Sequence, residues 1–154
     1  MTKYLFTFFA FIAVAFFALV VLPSAEHAAY AHQGATGIVK ERMDEFQKAR
    51  GQMKQIRRAL ESRDFAAIAA LSEDMMPWAH NMAEAFPEGS DIAPSEALPA
   101  IWQDKAGFAQ AISEYGDAIT ALKLAAQSGD NDDVRTSYKR LGSTCKSCHS
   151  TYRQ

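Results

Sequence analysis

Beyond residue 32 the chain has no stretch in which apolar and polar residues alternate, but four in which apolar residues return every third or fourth position. That period puts one apolar stripe on each of four helices and leaves no strand from which to build a sheet. The first stretch, from about Ala35 to Leu60, carries Val39, Met43, Phe46, Met53, Ile56 and Leu60, and Ser62-Arg63-Asp64 ends it. The second, from about Phe65 to Phe86, carries Ile68, Leu71, Met75, Trp78, Met82 and Phe86. Pro77 removes a backbone donor inside it, so a kink near Leu71 to Met76 is expected.

Pro87 to Pro99 is the longest segment bearing proline and glycine, and reads as a loop crossing one end of the domain. A third helix is expected from Ser95 or Pro99 to Gln127, with Ile101, Phe108, Ile112, Tyr115, Ile119 and Leu122 inward and Gly129 as its left-handed cap. Asp130 to Asp133 supply caps for the last helix, whose stripe is Val134, Tyr138, Leu141, Cys145, Cys148 and Tyr152. Four such stripes, with one long connection, are buried best in an all-α antiparallel four-helix bundle.

The first 31 residues are set apart from that count. Lys3 precedes an apolar run from Leu5 to Leu22, followed by Pro23 and the small-residue sequence Ala29-Tyr30-Ala31. This is the pattern of a secretory signal, giving residues 1–31 as signal peptide and 32–154 as the working domain. The run is also near the lower limit for spanning a bilayer, so an uncleaved anchor is the alternative and the only membrane link expected. Either way the domain is exported, and the periplasm is the expected compartment.

Removing residues 1–31 takes away one base, Lys3, and one acid, Glu26, so the formal charge stays at −2. Nucleic acid requires a concentrated basic surface, and this balance excludes it as a partner. Lys54, Arg57 and Arg58 are interspersed with Met53 and Ile56 and read as the wet side of a helix.

The chain's two cysteines stand three positions apart near its end, in Thr144-Cys145-Lys146-Ser147-Cys148-His149. A redox pair of the thioredoxin type needs its cysteines at a helix start between strands, which this all-helical pattern does not provide. Zinc needs two further soft or imidazole ligands, and the other histidines are His27, His32 and His80, none suitably spaced. A disulfide between Cys145 and Cys148 would close only one local turn, and remains as the mark of a non-haem helical binding module. Cysteines at i and i+3 on one helix face can instead reach two vinyl groups on a porphyrin edge, with the next histidine free to bind iron. C-x-x-C-H therefore reads as attachment of c-type haem.

With that motif on the last helix of an exported bundle, the sequence resembles the class II c-type cytochromes, the cytochrome c′ family with its low-spin relatives. The likeness runs through "ATGIVKERMDEF", "FPEGS", "IWQDKAGF" and, most specifically, "CKSCHSTYR". It implies one covalently attached haem c, with thioether links at Cys145 and Cys148 and His149 as axial ligand. It further implies Arg153 near the face bearing that ligand, Arg42 beside the haem propionates, and a homodimer built from the first two helices. The activity implied is one-electron transfer with periplasmic redox partner proteins, binding of nitric oxide or carbon monoxide, or both.

The opposite face of the iron falls, by the same resemblance, to Phe46, four residues after Arg42. Phenylalanine has no lone pair to donate, which predicts a five-coordinate iron in an apolar pocket. Met43, one turn earlier on nearly the same face, is the rival: as sixth ligand it would make the protein a low-spin electron carrier. His80 is a weaker contender. A peroxidase would need polar groups at that face to move protons, and Phe46 supplies none, so no catalytic residue and no enzyme activity are expected. Met53, Met75, Met76 and Met82 read as core filling, and Trp78, Trp102 and Tyr138 as core or haem-wall aromatics. Lys105 falls on the third apolar stripe, where it is expected to snorkel or to meet a propionate.

Overall fold

A computed structural model describes residues 34–154, so the signal-peptide expectation for residues 1–31 lies outside the described residues. Five helices follow in order: α1 (Gly37–Ser62), α2 (Phe65–Asn81), a 3-10 turn (Met82–Ala85), α3 (Ala100–Gln103), α4 (Lys105–Ser128) and α5 (Asn131–Tyr152). The four long ones form the bundle. Among the described residues, no helix is long and apolar enough to cross a membrane.

The connections are made by caps. Arg63 adopts left-handed backbone geometry (φ 55°), and the next amide, of Asp64, returns 2.9 Å to the Ala59 carbonyl, closing α1. Asp64 then accepts from the Ala67 amide at 3.0 Å and opens α2, so one pair of residues turns the chain. Gly129 (φ 77°) closes α4, and Asp130 accepts from the amides of Asp132 and Asp133 to open α5.

Two departures from the sequence expectation concern where helices stop. In α2, α-helical geometry continues past Pro77 to Asn81 and then tightens into the 3-10 turn, instead of running to Phe86. The expected third helix is broken in two at Asp104. This residue takes a non-helical conformation (φ −118°, ψ 65°), and its Oδ1 accepts from the Gly107 amide at 3.0 Å, starting α4 anew. The break makes Lys105 the first residue of α4. Lys105 is exposed in the first turn of α4 and meets Glu88 at 2.8 Å instead of snorkelling.

Ile56, Ile68, Met75, Ala118, Ile119, Leu122, Val134 and Leu141 form the centre of the core, drawn from all four long helices and almost wholly withdrawn from water. Each large aliphatic side chain there contributes about 1.5–3 kcal/mol relative to exposure. A smaller cluster of Ile101, Phe108 and Tyr152 closes the end crossed by the loop. The four sides of the bundle are not alike. α4 packs along both α2 and α5, and α1 packs on α2, but α1 and α5 hardly approach each other.

The Pro87 to Pro99 loop is strapped to the end of α5. The Leu98 amide donates to the Tyr152 carbonyl at 3.0 Å, the Gln154 amide to the Glu96 carbonyl at 2.9 Å, and Arg153 pairs with Glu96. Beside them the Tyr152 hydroxyl donates to Asp104 Oδ2 at 3.1 Å, joining the tail of α5 to the cap of α4. Gly107 makes room for this junction: a Cβ there would lie 2.1 Å from Asp104 Oδ2 and 2.6 Å from the Tyr152 hydroxyl.

Gly107→Ala is therefore expected to cost about 1–3 kcal/mol in denaturant unfolding. Gly116→Ala, whose added methyl would rest 3.8 Å from Ala79 Cβ, is expected to be neutral or to gain up to about 1 kcal/mol. Equal effects of the two would show that the Asp104–Tyr152 junction does not set the close approach at Gly107.

Candidate haem site

The last helix presents Cys145 and Cys148 from its inward side, both half-buried and both as free thiols. Cys145 packs on the main core, and its thiol donates to the Leu141 carbonyl at 3.6 Å; Cys148 packs on the cluster of Ile101, Phe108 and Tyr152. Burial pushes both thiols above the ordinary cysteine range, and for Cys148 the neighbouring Cys145 adds to the effect. Thiols held neutral in this way are poor redox nucleophiles, which argues against a thioredoxin-like pair.

His149 leaves the same turn toward α1. Its ring keeps an edge open to water, while its centroid lies 6.1 Å from that of Phe46 at an interplanar angle of 72°. Burial first, and the nearby Arg153 second, lower its pKa, so the imidazole is neutral at pH 7 and keeps a nitrogen lone pair. Arg153 is held by Glu96 and by the bridge between its backbone and Ala97.

Phe46 is the α1 residue that faces this turn. It meets Trp78 edge-on at 5.1 Å and Phe86 at 6.3 Å, and the row continues from Phe86 to Phe108 (5.1 Å) and on to Tyr152 (5.2 Å). Aromatic rings thus lead from His149 through α1, the end of the 3-10 turn and α4 back to Tyr152, one turn further along the same helix. Met43 is half-buried one turn before Phe46, without the ring contact that joins Phe46 to His149. His80 is exposed on the outer surface of α2, beside Lys48, Asp74 and Pro77, in a shallow cavity of about 620 Å³.

Arg42 is only 3% exposed. Its Nη1 donates to the Ala85 carbonyl at 3.2 Å and to Ser90 Oγ at 2.7 Å, while Nη2 donates to the Ser90 carbonyl and Ser95 Oγ. The guanidinium also lies 4.7 Å from the centre of the Phe86 ring. Desolvation lowers its pKa and Asp91 opposes that shift, and the group stays charged. In this structure, then, Arg42 fastens the loop and Phe86 to α1, a role the sequence did not reveal.

Met75 and Met82 are buried in the core, with Met53 and Met76 packed against it. Trp102 donates to the Phe86 carbonyl at 2.9 Å, and Tyr138 packs on the core. Two buried polar atoms beside the motif, Trp78 Nε1 and the Tyr115 hydroxyl, have no protein partner; burial and the proximity of Cys145 push the Tyr115 hydroxyl well above its ordinary pKa. Ser90, Ser95, Asp104 and Gly107 were missed by sequence reasoning. Only Asp104 left a signal, as an aspartate three residues before a glycine amide it could cap.

A four-helix bundle with the C-x-x-C-H run near the end of its last helix defines the class of helical c-type cytochromes. Comparison with known proteins is specific within that class. The cytochrome c′ family profile matches residues 37–153, and the chain belongs to this family. Cytochrome c′ of Alcaligenes xylosoxydans xylosoxydans is 38% identical over 79 residues, which are 51% of this chain and 57% of that protein. Cytochrome c-554 of Cereibacter sphaeroides is 43% identical over 90 residues, 56% of this chain and 62% of that one. Cytochrome c-556 of Agrobacterium tumefaciens (strain B2A) is 33% identical over 124 residues, covering 71% of this chain and 96% of its own length. The matched region thus spans under two thirds of the first two relatives and nearly all of the third.

Among solved structures, a cytochrome c′ superposes with a TM-score of 0.69 at 30% identity, covering 76% of this chain and 94% of that one. Another, a nitric oxide complex of a cytochrome c′ variant from Alcaligenes xylosoxidans, gives 0.68 at 29% identity over 76% of this chain. The cofactor of the family is one covalently attached haem c.

Arg42→Ala is expected to cost about 2–4 kcal/mol, because two carbonyls and two hydroxyls lose a buried charged donor together. Arg42→Lys should recover less than half of this, since an ammonium cannot reproduce the fork. Hydrogen exchange at the Leu98 and Gln154 amides reads the loop directly: unchanged protection in Arg42→Ala would refute the fastening role.

Proposed function

We propose that this chain is an exported, periplasmic mono-haem cytochrome whose haem is attached through Cys145 and Cys148, with His149 as axial ligand. It carries one electron or binds a small gas at an iron left five-coordinate by Phe46. It does so as a carrier and not as an enzyme, and as a homodimer formed through α1 and α2. The observation that carries the reading is the ring contact between Phe46 and His149 across the one side of the bundle that the helices leave nearly open. Two thiols on one face, a neutral imidazole next to them and two unsatisfied polar atoms nearby suit the attached group chemically.

When bound, haem would supply a one-electron iron couple and an iron able to take up a small gas. The chain supplies the rest. Cys145 and Cys148 fix the group, and His149 offers a lone pair without first losing a proton. Phe46, Trp78 and Phe86 give the opposite face an apolar wall that excludes water and offers no carboxylate or imidazole to move a proton. Arg153, tied to Glu96, keeps a fixed positive charge near His149 and favours its neutral form.

The reading is tested by optical spectra of the ferrous protein, made with c-type maturation supplied, before and after addition of carbon monoxide or nitric oxide. Haem that stays with the chain after denaturation and a high-spin spectrum that changes with the gas are expected. In Cys145→Ser/Cys148→Ser the haem should become extractable. A colourless product would sink the whole reading. A sharp low-spin spectrum resistant to carbon monoxide would overturn the Phe46 assignment alone, and Met43→Ala would then show whether the thioether is the ligand. Phe46→Met is the converse variant, expected to move the spectrum toward low spin.

A further inference from the structure

Charge is distributed unevenly over the bundle. Between Asp64 and Ser128 the only lysines or arginines are Lys105 and Lys123, paired with Glu88 and Glu73, amid a large excess of acids. The remaining bases of the described residues gather on α1 and α5. No acid interrupts α1 between Glu45 and Glu61, or α5 between Asp133 and its end.

Helical register places these bases about the nearly open side. On α1, Arg50 and Lys54 follow Phe46 at steps of four, and Arg57 follows Met53 at the same step. Phe46 and Met53 are the residues with which α1 reaches toward α5: Phe46 faces His149, and the Met53 Cε lies 4.0 Å from a Cβ built on Gly142. On α5, Gly142 and His149 belong to one ridge of three- and four-residue steps that also holds Arg135, Lys139 and Lys146. All six bases are exposed, and among the described residues none of them is in an ion pair.

Two rows of unpaired positive charge therefore run along the α1–α5 side, from Arg57 and Arg135 toward the end where the thiols and His149 lie. Like charges so arranged repel one another and project a focused positive field from the groove. We propose that this rim is the docking surface for an acidic electron-transfer protein, an inference that rests on the haem reading above. Docking there brings the partner's redox centre to the attached haem; one electron passes between them, one centre being oxidised and the other reduced, with no bond made or broken. A lipid surface is the poorer match. Interfacial helices set large apolar side chains beside their bases, whereas the large exposed apolar residues here are Ile92, in the loop, and Leu124, on α4.

The test uses the haem-loaded protein, isotopically labelled, with an acidic flavodoxin as probe. Amide shifts should concentrate along Arg50 to Arg57 and Arg135 to Lys146. Affinity and the rate of electron exchange should each fall at least about tenfold between about 20 mM and 300 mM salt. Arg50→Glu/Lys139→Glu should produce a loss of similar size with the haem spectrum and melting temperature unchanged, while exchange with a cationic ruthenium hexaammine complex should not slow. Shifts elsewhere, salt-independent binding, or an unaffected double variant would overturn the proposal. So would binding to phosphatidylglycerol vesicles with none to flavodoxin, which would assign the rim to a membrane surface. The haem absorbance is read separately: its absence defeats the site assignment, whereas loss of rim binding with haem intact defeats the docking surface alone.

Discussion

The arrangement of the site hangs on one buried cation. Arg42 has left water with no carboxylate in direct contact, a costly state unless every donor is used. Its Nη groups find two carbonyls and two hydroxyls, supplied by the end of the 3-10 turn and by the loop that follows. Hydrogen bonds to a charged group are each worth about 1.5–3 kcal/mol, so the loop that forms this cradle is held far more firmly than its exposed residues suggest. That same loop straps the tail of α5 through Leu98, Glu96 and Arg153. Phe46 stands one turn after Arg42, and His149 one turn before Tyr152. The two residues that face each other across the groove are thus both referred to a single loop, although they belong to the first and last helices.

Side-chain size explains why one side of the bundle stays nearly open. Where α2 meets α4, small residues allow close approach: Ala79 lies against Gly116, and Ala118 and Ala126 are buried nearby. Where α1 meets α5, the space is spanned by rings, Phe46 against His149 with Trp78 and Phe86 behind. Aromatic edges hold helices apart while still excluding water. Close seams on three sides can then carry the stability, leaving the fourth to be shaped for a flat, apolar group.

The four long helices were legible because an apolar residue every third or fourth position has no other reading, and their caps at Asp64, Gly129 and Asp130 are written in residue types that favour those conformations. The break at Asp104 was hidden for a definite reason. Ile101 and Phe108 are seven residues apart, so the stripe stays in phase across the break, and periodicity cannot detect a cap that preserves phase. Arg42 was hidden because its cradle is made by serines and carbonyls more than forty residues away, groups with no sequence signature. Cys145, Cys148 and His149 stood out in the sequence since attachment chemistry, as proposed for them, requires neighbours along the chain. The opposition of Phe46 to His149 is a long-range relation, and only family resemblance pointed to it.

The electrostatics of the motif converge on one kind of occupant. Burial raises both thiols, which means that the surroundings penalise a charged sulfur. A thioether has no charged form, so converting each thiol removes that penalty and leaves an apolar sulfur where an apolar one is favoured. At His149 the shift runs the other way and has the same result. Burial and Arg153 disfavour imidazolium, so the form that predominates at neutral pH is the one with a free lone pair. A disulfide would also leave the sulfurs uncharged, but it would make no use of a neutral histidine, an aromatic wall and a groove kept nearly open beside them. The proposal that the two sulfurs and the imidazole serve the same bound group brings all four features together.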